Sequence, residues 1–344
     1  MALKYILSFE KPVAELETKL EELRAFSESH DIDLTHELQE MERKIRETRR
    51  RVFENLTPWD EVQLARHPQR PYTLDYIKAM CTDFIELHGD RHYADDRAII
   101  GGFARLDDLK IMVIGLQKGR DVKSNLDCNF GMAYPEGYRK ALRLMKLAAR
   151  FKRPIVTLID TAGAYPGIGG EERHVAEAIA VNLRESILLP VPIVVVIIGE
   201  GGSGGALGIG VGDRILMLEH AYYSVISPEG CAAILWKDRA YASRAAEVLH
   251  LTSRALLQDK LVDEIVAEPE GGAHRDHAAA AAGLKSRILA NLTDLNQLTT
   301  EQLLAQRYAK FRAMGVYHEP EPAAELEPTA EPEPTTEPEP APSD

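Results

Sequence analysis

At 344 residues, 45% hydrophobic and 28% charged, the chain has room for one large domain or two ordinary ones with a proper core. Its formal charge of −13 is lopsided: positions 319–344 hold eight Glu and one Asp with no Lys or Arg, so the rest carries only −4, a balance that gives no reason to expect nucleic-acid binding. Cys81, Cys128 and Cys231 are far apart, which excludes a chain-internal zinc ribbon, and odd in number, which argues against a disulfide framework and fits a reducing, cytoplasmic compartment.

The short apolar start is cut off by Glu10, Lys11 and Pro12, too early and too charged for a signal peptide. Residues 11–56 then read as amphipathic helix. Val13, Leu16, Leu20 and Leu23 recur at helical spacing, and Leu34, Leu38, Met41, Ile45 and Val52 do so again after a break at 29–33. This arm (1–57) is either an ordinary packed helix pair or an oligomer contact. Pro58, Pro68 and Pro71 mark a connector with a helix over 58–98.

From Ile99 to Val266 short apolar strands alternate with glycine turns and helices, the signature of an α/β domain. Strands are expected at 111–116, 155–159, 193–198, 215–218 and 222–226. Helices are expected from Pro135, with Pro in the first turn, and at 171–188, 228–236 and 241–249. The longest apolar run, 191–198, stops at Glu200 and is too short to cross a bilayer; it reads as a buried strand. Residues 274–313 are helical and close a domain of 99–317. The tail, 318–344, is Pro, Glu, Thr and Ala with almost no large apolar side chain, and its composition predicts disorder.

Chemistry is expected at two strand-to-helix turns, Asp160 to Gly167 (DTAGAYPG) and Gly199 to Gly208 (GEGGSGGALG). Glycine there lets a ligand approach the backbone and leaves N–H groups free at a helix start. The second turn fits three patterns at once. Gly199, Gly201 and Gly204 match a dinucleotide fingerprint, with Glu219 further on. Only ten residues separate Gly204 from the strand at Ile215, too few for a full crossover helix, so that reading fails. Gly201, Ser203 and Gly205 match a nucleophile elbow, but none of His220, His250, His274 and His277 is singled out as its base, and a small residue in a tight turn accounts for Ser203. The third pattern is a backbone anion hole with no side-chain nucleophile, and it also gives the turn at Gly163 a purpose. The basic row Arg139, Arg143, Lys146 and Arg150 reads as a solvated helix face, while Lys118 and Arg120, in a loop after a strand, are better anion-binding candidates.

Several longer runs together resemble one family: RHPQRPYTLDY at 66–76, LHGDR at 87–91, QKGR at 117–120, NFGM at 129–132, PEGYRKALRLM at 135–145, YSVISPEGCAAILWK at 223–237 and EPEGGAHRD at 268–276, with both glycine turns. They are similar to the alpha subunit of the bacterial and plastid acetyl-CoA carboxylase carboxyltransferase, from the N-terminal helices to about Val316. Departures are Leu116 where His is expected, which leaves no polar role there, Ala162 for Pro, and His174 and Val175 for Gly and Gln.

The resemblance implies a crotonase-like (ClpP/crotonase) α/β fold, a superhelical spiral of ββα units with an N-terminal helical arm and C-terminal helices. It implies carboxyl transfer from carboxybiotin, on the biotin carboxyl carrier protein, to acetyl-CoA. The product is malonyl-CoA, in the first committed step of fatty acid synthesis. It also implies an α2β2 heterotetramer with a beta subunit that carries the zinc, biotin carboxylase in the full complex, and no metal or membrane contact for this chain. Gly204, Gly205, Gly163 and Ala164 are the expected backbone hole for the biotin ureido oxygen, with Gly202, Ser203, Lys118 and Arg120 as further substrate contacts. Alternatives are a stand-alone crotonase-type hydratase or isomerase using Glu200 or Glu229, a serine hydrolase using Ser203, and a biotin-dependent acyl-CoA decarboxylase subunit.

Overall fold

The computed structural model describes residues 5–315; the acidic tail expected to be disordered lies outside the described residues. Eight strands form one sheet: β1 (Thr82–Glu86), β2 (Ile99–Leu106), β3 (Leu109–Leu116), β4 (Ile155–Thr161), β5 (Ile193–Gly202), β6 (Arg214–Leu218), β7 (Tyr222–Ser224) and β8 (Glu264–Val266). Their order is β1-β2-β3-β4-β5-β6-β8, and β7 pairs with the end of β5. The β1, β2 and β3 strands run antiparallel, and every pair from β3 onward is parallel. The parallel strands β4 and β5 are buried along their whole length, which is why Ile, Val and Leu fill 155–156, 158–159 and 193–198.

The strands expected at 155–159 and 193–198 run on to Thr161 and Gly202, and three other elements are split or cut short. The helix read at 171–188 is two, Ile168–Glu172 and Val175–Ser186, because His174 adopts a left-handed φ of 64° between them. The strand read at 222–226 stops at Ser224, whose hydroxyl donates to the Ile226 carbonyl at 2.8 Å and turns the chain. The closing helical run is also two helices, His277–Leu295 capped by Asp276 and Thr300–Arg312 capped by Thr299. The second is anchored by Arg307. Its fully buried guanidinium bonds to Asp213 at 2.8 and 2.7 Å and to the carbonyls of Ser186, Leu189 and Val191.

The segment read as a connector is part of the body. It contributes β1 to the sheet, helix Pro58–Ala65 with a capping box between Thr57 and Asp60, and helix Thr73–Met80. The arm is two helices, Lys11–His30 and Thr35–Phe53, separated where Asp31 takes a left-handed φ of 51°. Only Val13 of the first and Ile45 and Thr48 of the second are buried. The arm is pinned to the body by buried Glu10, which accepts from His274 Nε2 at 3.1 Å and from Arg275 at 3.3 Å.

Candidate functional site

Three parallel strands deliver their C-terminal ends to one place, the usual location of ligands in such sheets. Lys118 follows β3, Asp160 and Thr161 end β4, and Glu200 to Gly202 end β5. The two glycine turns that follow β4 and β5 lie against each other. A Cβ on Gly205 would sit 2.3 Å from the Gly163 carbonyl carbon and 2.5 Å from Ala164 N, and one on Gly202 only 2.2 Å from the Ala162 oxygen. No side chain larger than hydrogen fits at either position without moving backbone. By contrast nothing lies within 4 Å of a Cβ at Gly163, and at Gly204 the nearest atom is Ile179 Cδ1 at 3.5 Å, so the open faces point into free space.

Gly204 and Gly205 stand in the first turn of the short helix Ser203–Leu207, where N–H groups have no intrahelical partner. Ala164 lies beside them across the turn contact. Gly163 does not act as the fourth donor expected of it. Its N–H is bonded to Thr161 Oγ1 at 3.1 Å, and the same hydroxyl donates to the Gly163 carbonyl at 2.7 Å, which locks the turn's shape.

Behind the turns is a buried ion lattice. Lys118 Nζ donates to Asp160 Oδ1 at 2.6 Å and to Glu200 Oε2 at 2.7 Å. Glu200 also accepts from Arg66 Nε and from the Tyr222 hydroxyl, both at 2.7 Å, and Arg66 reaches on to Glu229 at 2.6 Å. Asp160 Oδ1 accepts the Glu200 N–H at 3.0 Å, tying the side chain that ends β4 to the backbone that ends β5. Burial would raise the Glu200 pKa, but Lys118 and Arg66 outweigh it and hold the carboxyl at about 2. Burial opposes the charge on Lys118, and its two carboxylate partners raise its pKa regardless. Burial lifts Asp160, so its ionised state depends on Lys118.

A second buried pair lies alongside: Arg70 and Glu268 are joined by a bidentate contact, and Arg70 Nε donates to the Ile198 carbonyl at 2.7 Å. Glu268 is held at about 2 against the effect of burial, first by Arg70. Neither Arg66 nor Arg70 had been singled out. Each joins groups more than 120 residues distant in sequence, and the only trace was their place in the 66–76 run.

The lattice changes the expected roles. Lys118 is not a free anion contact, because two carboxylates engage it. Arg120 is also committed, to Asp75 and to the Pro68 carbonyl, with its guanidinium 4.0 Å over the Tyr72 ring. Glu200, locked by three donors and held at about 2, is the wrong group for general acid-base work near neutral pH. Ser203 makes no hydrogen bond through its hydroxyl among the described residues. Among the described residues the four histidines downstream of it are engaged elsewhere: His220 with Glu61, His250 with Asp259, His274 with Glu10 and His277 with the Gln69 carbonyl. None of these four stands ready as the base that a serine nucleophile needs. The basic helix row is likewise committed in part, Arg139 to Asp90, Arg143 to the Gly89 carbonyl and Lys146 to Glu185.

Two hollows flank the paired turns. An apolar cleft of about 350 Å³ is walled by Ser203, Gly204, Leu207, Tyr223, Val225 and Phe311 among others. A charged hollow of about 260 Å³ on the other side is lined by Arg66, Lys118, Glu200, Tyr72 and Ala162. One group among the described residues brings metal-ligand atoms together, Glu10, His67 and His274, within 4.8 Å of one another. Its atoms are largely used: His67 Nδ1 accepts the Gln69 N–H at 3.2 Å, His67 Nε2 faces the Tyr5 carbonyl at 3.3 Å, and Arg275 shares Glu10. The cluster fastens the arm.

A family model described as acetyl co-enzyme A carboxylase carboxyltransferase-like matches residues 6–315. The chain is 55% identical over 333 residues to the acetyl-coenzyme A carboxylase carboxyl transferase subunit alpha of Chlorobium luteolum, covering 93% of this chain and 99% of that one. It is 58% identical over 309 residues to the subunit of that name from Coxiella burnetii, with 90% and 98% covered. Among solved structures it resembles a Pseudomonas malonate decarboxylase hetero-tetramer in complex with coenzyme A, with a TM-score of 0.54 at 14% identity over 70% of this chain and 95% of that one. It also resembles transcarboxylase 12S, with a TM-score of 0.54 at 18% identity, covering 67% of this chain and 43% of that chain, so it spans less than half of the latter. At these identities the structural likeness establishes the fold, which is the crotonase-like one expected.

Proposed function

The chain belongs to the acetyl-CoA carboxylase carboxyltransferase family, as an alpha-type subunit, and from that premise we propose that it provides the backbone hole at which carboxybiotin gives up its carboxyl group to acetyl-CoA. Malonyl-CoA is the product, and fatty acid synthesis the process it feeds. In this transfer the N–C bond of carboxybiotin breaks and a C–C bond forms at the acetyl methyl carbon. The methyl proton passes to the departing biotin nitrogen. Negative charge grows on two oxygens, that of the thioester and that of the ureido ring, and each needs donors already in place. This chain's share is the ureido oxygen, served by the N–H groups of Gly204 and Gly205 with Ala164 beside them.

The observation that carries this reading is the contact between the turns. Gly205 against Gly163 and Gly202 against Ala162 hold two backbone segments closer than any side chain allows, with their open faces on free space. The residues present fit a flat, uncharged ring. Gly163 and Gly204 leave room above the backbone, uncommitted N–H groups await an oxygen, and the wall of Tyr223, Val225 and Leu207 is apolar. Carboxybiotin supplies the activated carboxyl group; the chain orients it, polarises it and keeps water off one face. Asp160, Glu200, Lys118 and Arg66 act as positioning residues, fixing the strand ends from which both turns spring.

A single chain with one such pair of turns serves one of the two oxygens. The other half belongs to a beta subunit that holds acetyl-CoA and carries the zinc, in an α2β2 assembly served by the biotin carboxyl carrier protein and biotin carboxylase. Cytoplasmic residence fits the three free cysteines; no helix among the described residues is long and apolar enough to cross a membrane. Both acid-base candidates of the stand-alone hydratase reading are engaged: Glu200 is locked by three donors, and Glu229 is paired with Arg66 at 2.6 Å, which lowers its pKa against the effect of burial. A decarboxylase subunit has the likeness at 14% identity in its favour, against 55% and 58% for the carboxyltransferase relatives. The test is reconstitution. Carboxybiotin and acetyl-CoA should yield malonyl-CoA with both subunits present and none with this chain alone; turnover by the chain alone would overturn the proposal.

A further inference from the structure

A dense run of basic residues lies on the second arm helix, Thr35–Phe53. Between Arg43 and Arg51 six of nine residues are basic and only Glu47 is acidic. Arg43 is paired with Glu47 at 2.8 Å and Arg49 with Glu17 at 2.6 Å. Lys44, Arg46, Arg50 and Arg51 are exposed and form no ion pair among the described residues. Ile45 and Thr48 are buried on the inner side of this helix. Helical spacing therefore sets Arg46 and Arg50 in one outer row and Lys44 and Arg51 in another. These four unpaired cations lie on two turns of a chain whose formal charge outside 319–344 is −4.

We infer that this strip is the docking face for the chain's own acidic tail, residues 319–344. The tail is its electrostatic complement, with nine carboxylates and no Lys or Arg. Reach is ample. The described body ends just past helix Thr300–Arg312, and the 26 residues from Glu319 to Asp344 span up to about 85 Å when extended, against roughly 50 Å for the width of a body this size. Exposed ion pairs are individually weak, but a tethered run of carboxylates is presented at an effective concentration of about millimolar. Several weak contacts made together then hold it. A free polyanion such as nucleic acid has to displace that tethered competitor and approach a net negative protein. The proposal concerns the arm surface and is independent of the reading of the paired turns.

Zero-length carbodiimide coupling of the full chain tests it, since Lys44 is the one amine on the strip. Lys44 should be joined to tail glutamates in preference to other exposed lysines, with a yield that does not change on dilution. Replacing Arg46, Arg50 and Arg51 together by Glu leaves Lys44 in place and should cut that yield about tenfold. A synthetic peptide of residues 319–344, added to a chain lacking them, should bind saturably, lose affinity about tenfold between 50 and 300 mM salt as the Debye length shrinks, and fail to bind the charge-reversed variant. Links spread evenly over the surface lysines, coupling that falls on dilution, or peptide binding indifferent to the reversal would each overturn the assignment. So would single-stranded or duplex nucleic acid that binds the strip equally well with and without the tail.

Discussion

The two sides of the paired glycine turns are built on opposite principles. On one side, Ser203 and Gly204 open onto a cleft lined by Tyr223, Val225 and Phe311, and the polar groups proposed to act there are backbone N–H donors at the start of helix Ser203–Leu207, beside the Ser203 hydroxyl. On the other, Lys118, Arg66, Glu200 and Asp160 saturate one another at 2.6 to 2.7 Å. On the proposed reading the side with the charges is chemically quiet, and the side without them holds the donors. A fixed array of neutral dipoles in an apolar wall stabilises charge as it develops, without a counter-ion that must first be displaced. The ion lattice supplies rigidity: it ties the ends of β3, β4 and β5 together so that two turns from different strands keep their register.

If this division is right, the largest effect comes from disturbing the turn contact itself. In Gly205→Val a β-branched side chain meets the backbone of Gly163 and Ala164, at 2.3 and 2.5 Å from its first carbon. Neither atom can step aside as a side chain would, so the donors are displaced. Loss of a single donor of this type costs about 10²- to 10³-fold in kcat, and both turns move here. Steady-state assays of the reconstituted complex should show at least that loss while gel filtration still shows assembly. Near-normal kcat would place the chemistry elsewhere.

Disturbing the other side should act on stability first. Lys118→Met keeps the length and removes the charge, leaving buried Asp160 with no cation and Glu200 with only Arg66. Breaking a buried pair in this way costs about 3 to 5 kcal/mol. Urea unfolding at pH 7.5 checks that figure. The deficit should shrink at pH 5.5, because burial already raises the Asp160 pKa, and a group with a raised folded-state pKa binds its proton more tightly when folded. A deficit that grew on acidification would mean the lattice had been read with the wrong charges.

The unmodified chain should show the reverse sign. Glu200 and Glu268 are each held at about 2 against an ordinary 4.5, so each contributes about 3 kcal/mol that is fully present above pH 5 and lost as pH falls from about 4.5 toward 2. Glu200→Gln should flatten that acid limb. An acid limb of unchanged steepness in the variant would remove Glu200 from the account.

Much of this was legible in the chain, and the part that was not has a physical reason. Buried strands β4 and β5 announce themselves as apolar runs, and the turns after them as clustered glycines, because both signals are local. The lattice is not local. Lys118 meets Asp160 and Glu200 across 42 and 82 positions, and Arg66 meets Glu200 across 134. No periodicity records such pairs, so Lys118 read as a loop cation free for a ligand. The same blindness made 58–98 a connector, although β1 pairs with β2 at the sheet's edge. Gly163 shows a subtler limit: its place in the turn was clear, but the Thr161 hydroxyl that takes its N–H depends on a rotamer.

The smallest expected effect is the one that separates a backbone hole from a side-chain nucleophile. Ser203 sits at a left-handed φ of 51°, a conformation that costs an L-residue roughly 1 to 2 kcal/mol whatever its side chain. Alanine bears the same strain as serine there, adds nothing to the crowding and keeps every N–H in place. Ser203→Ala should therefore leave kcat/KM within about twofold, since no covalent step is asked of the hydroxyl. Ser203→Gly relieves the strain and should be tolerated as well, with a melting temperature equal to or above that of the parent. The pair of variants discriminates sharply. Were Ser203 a nucleophile, both would abolish turnover while leaving the complex intact.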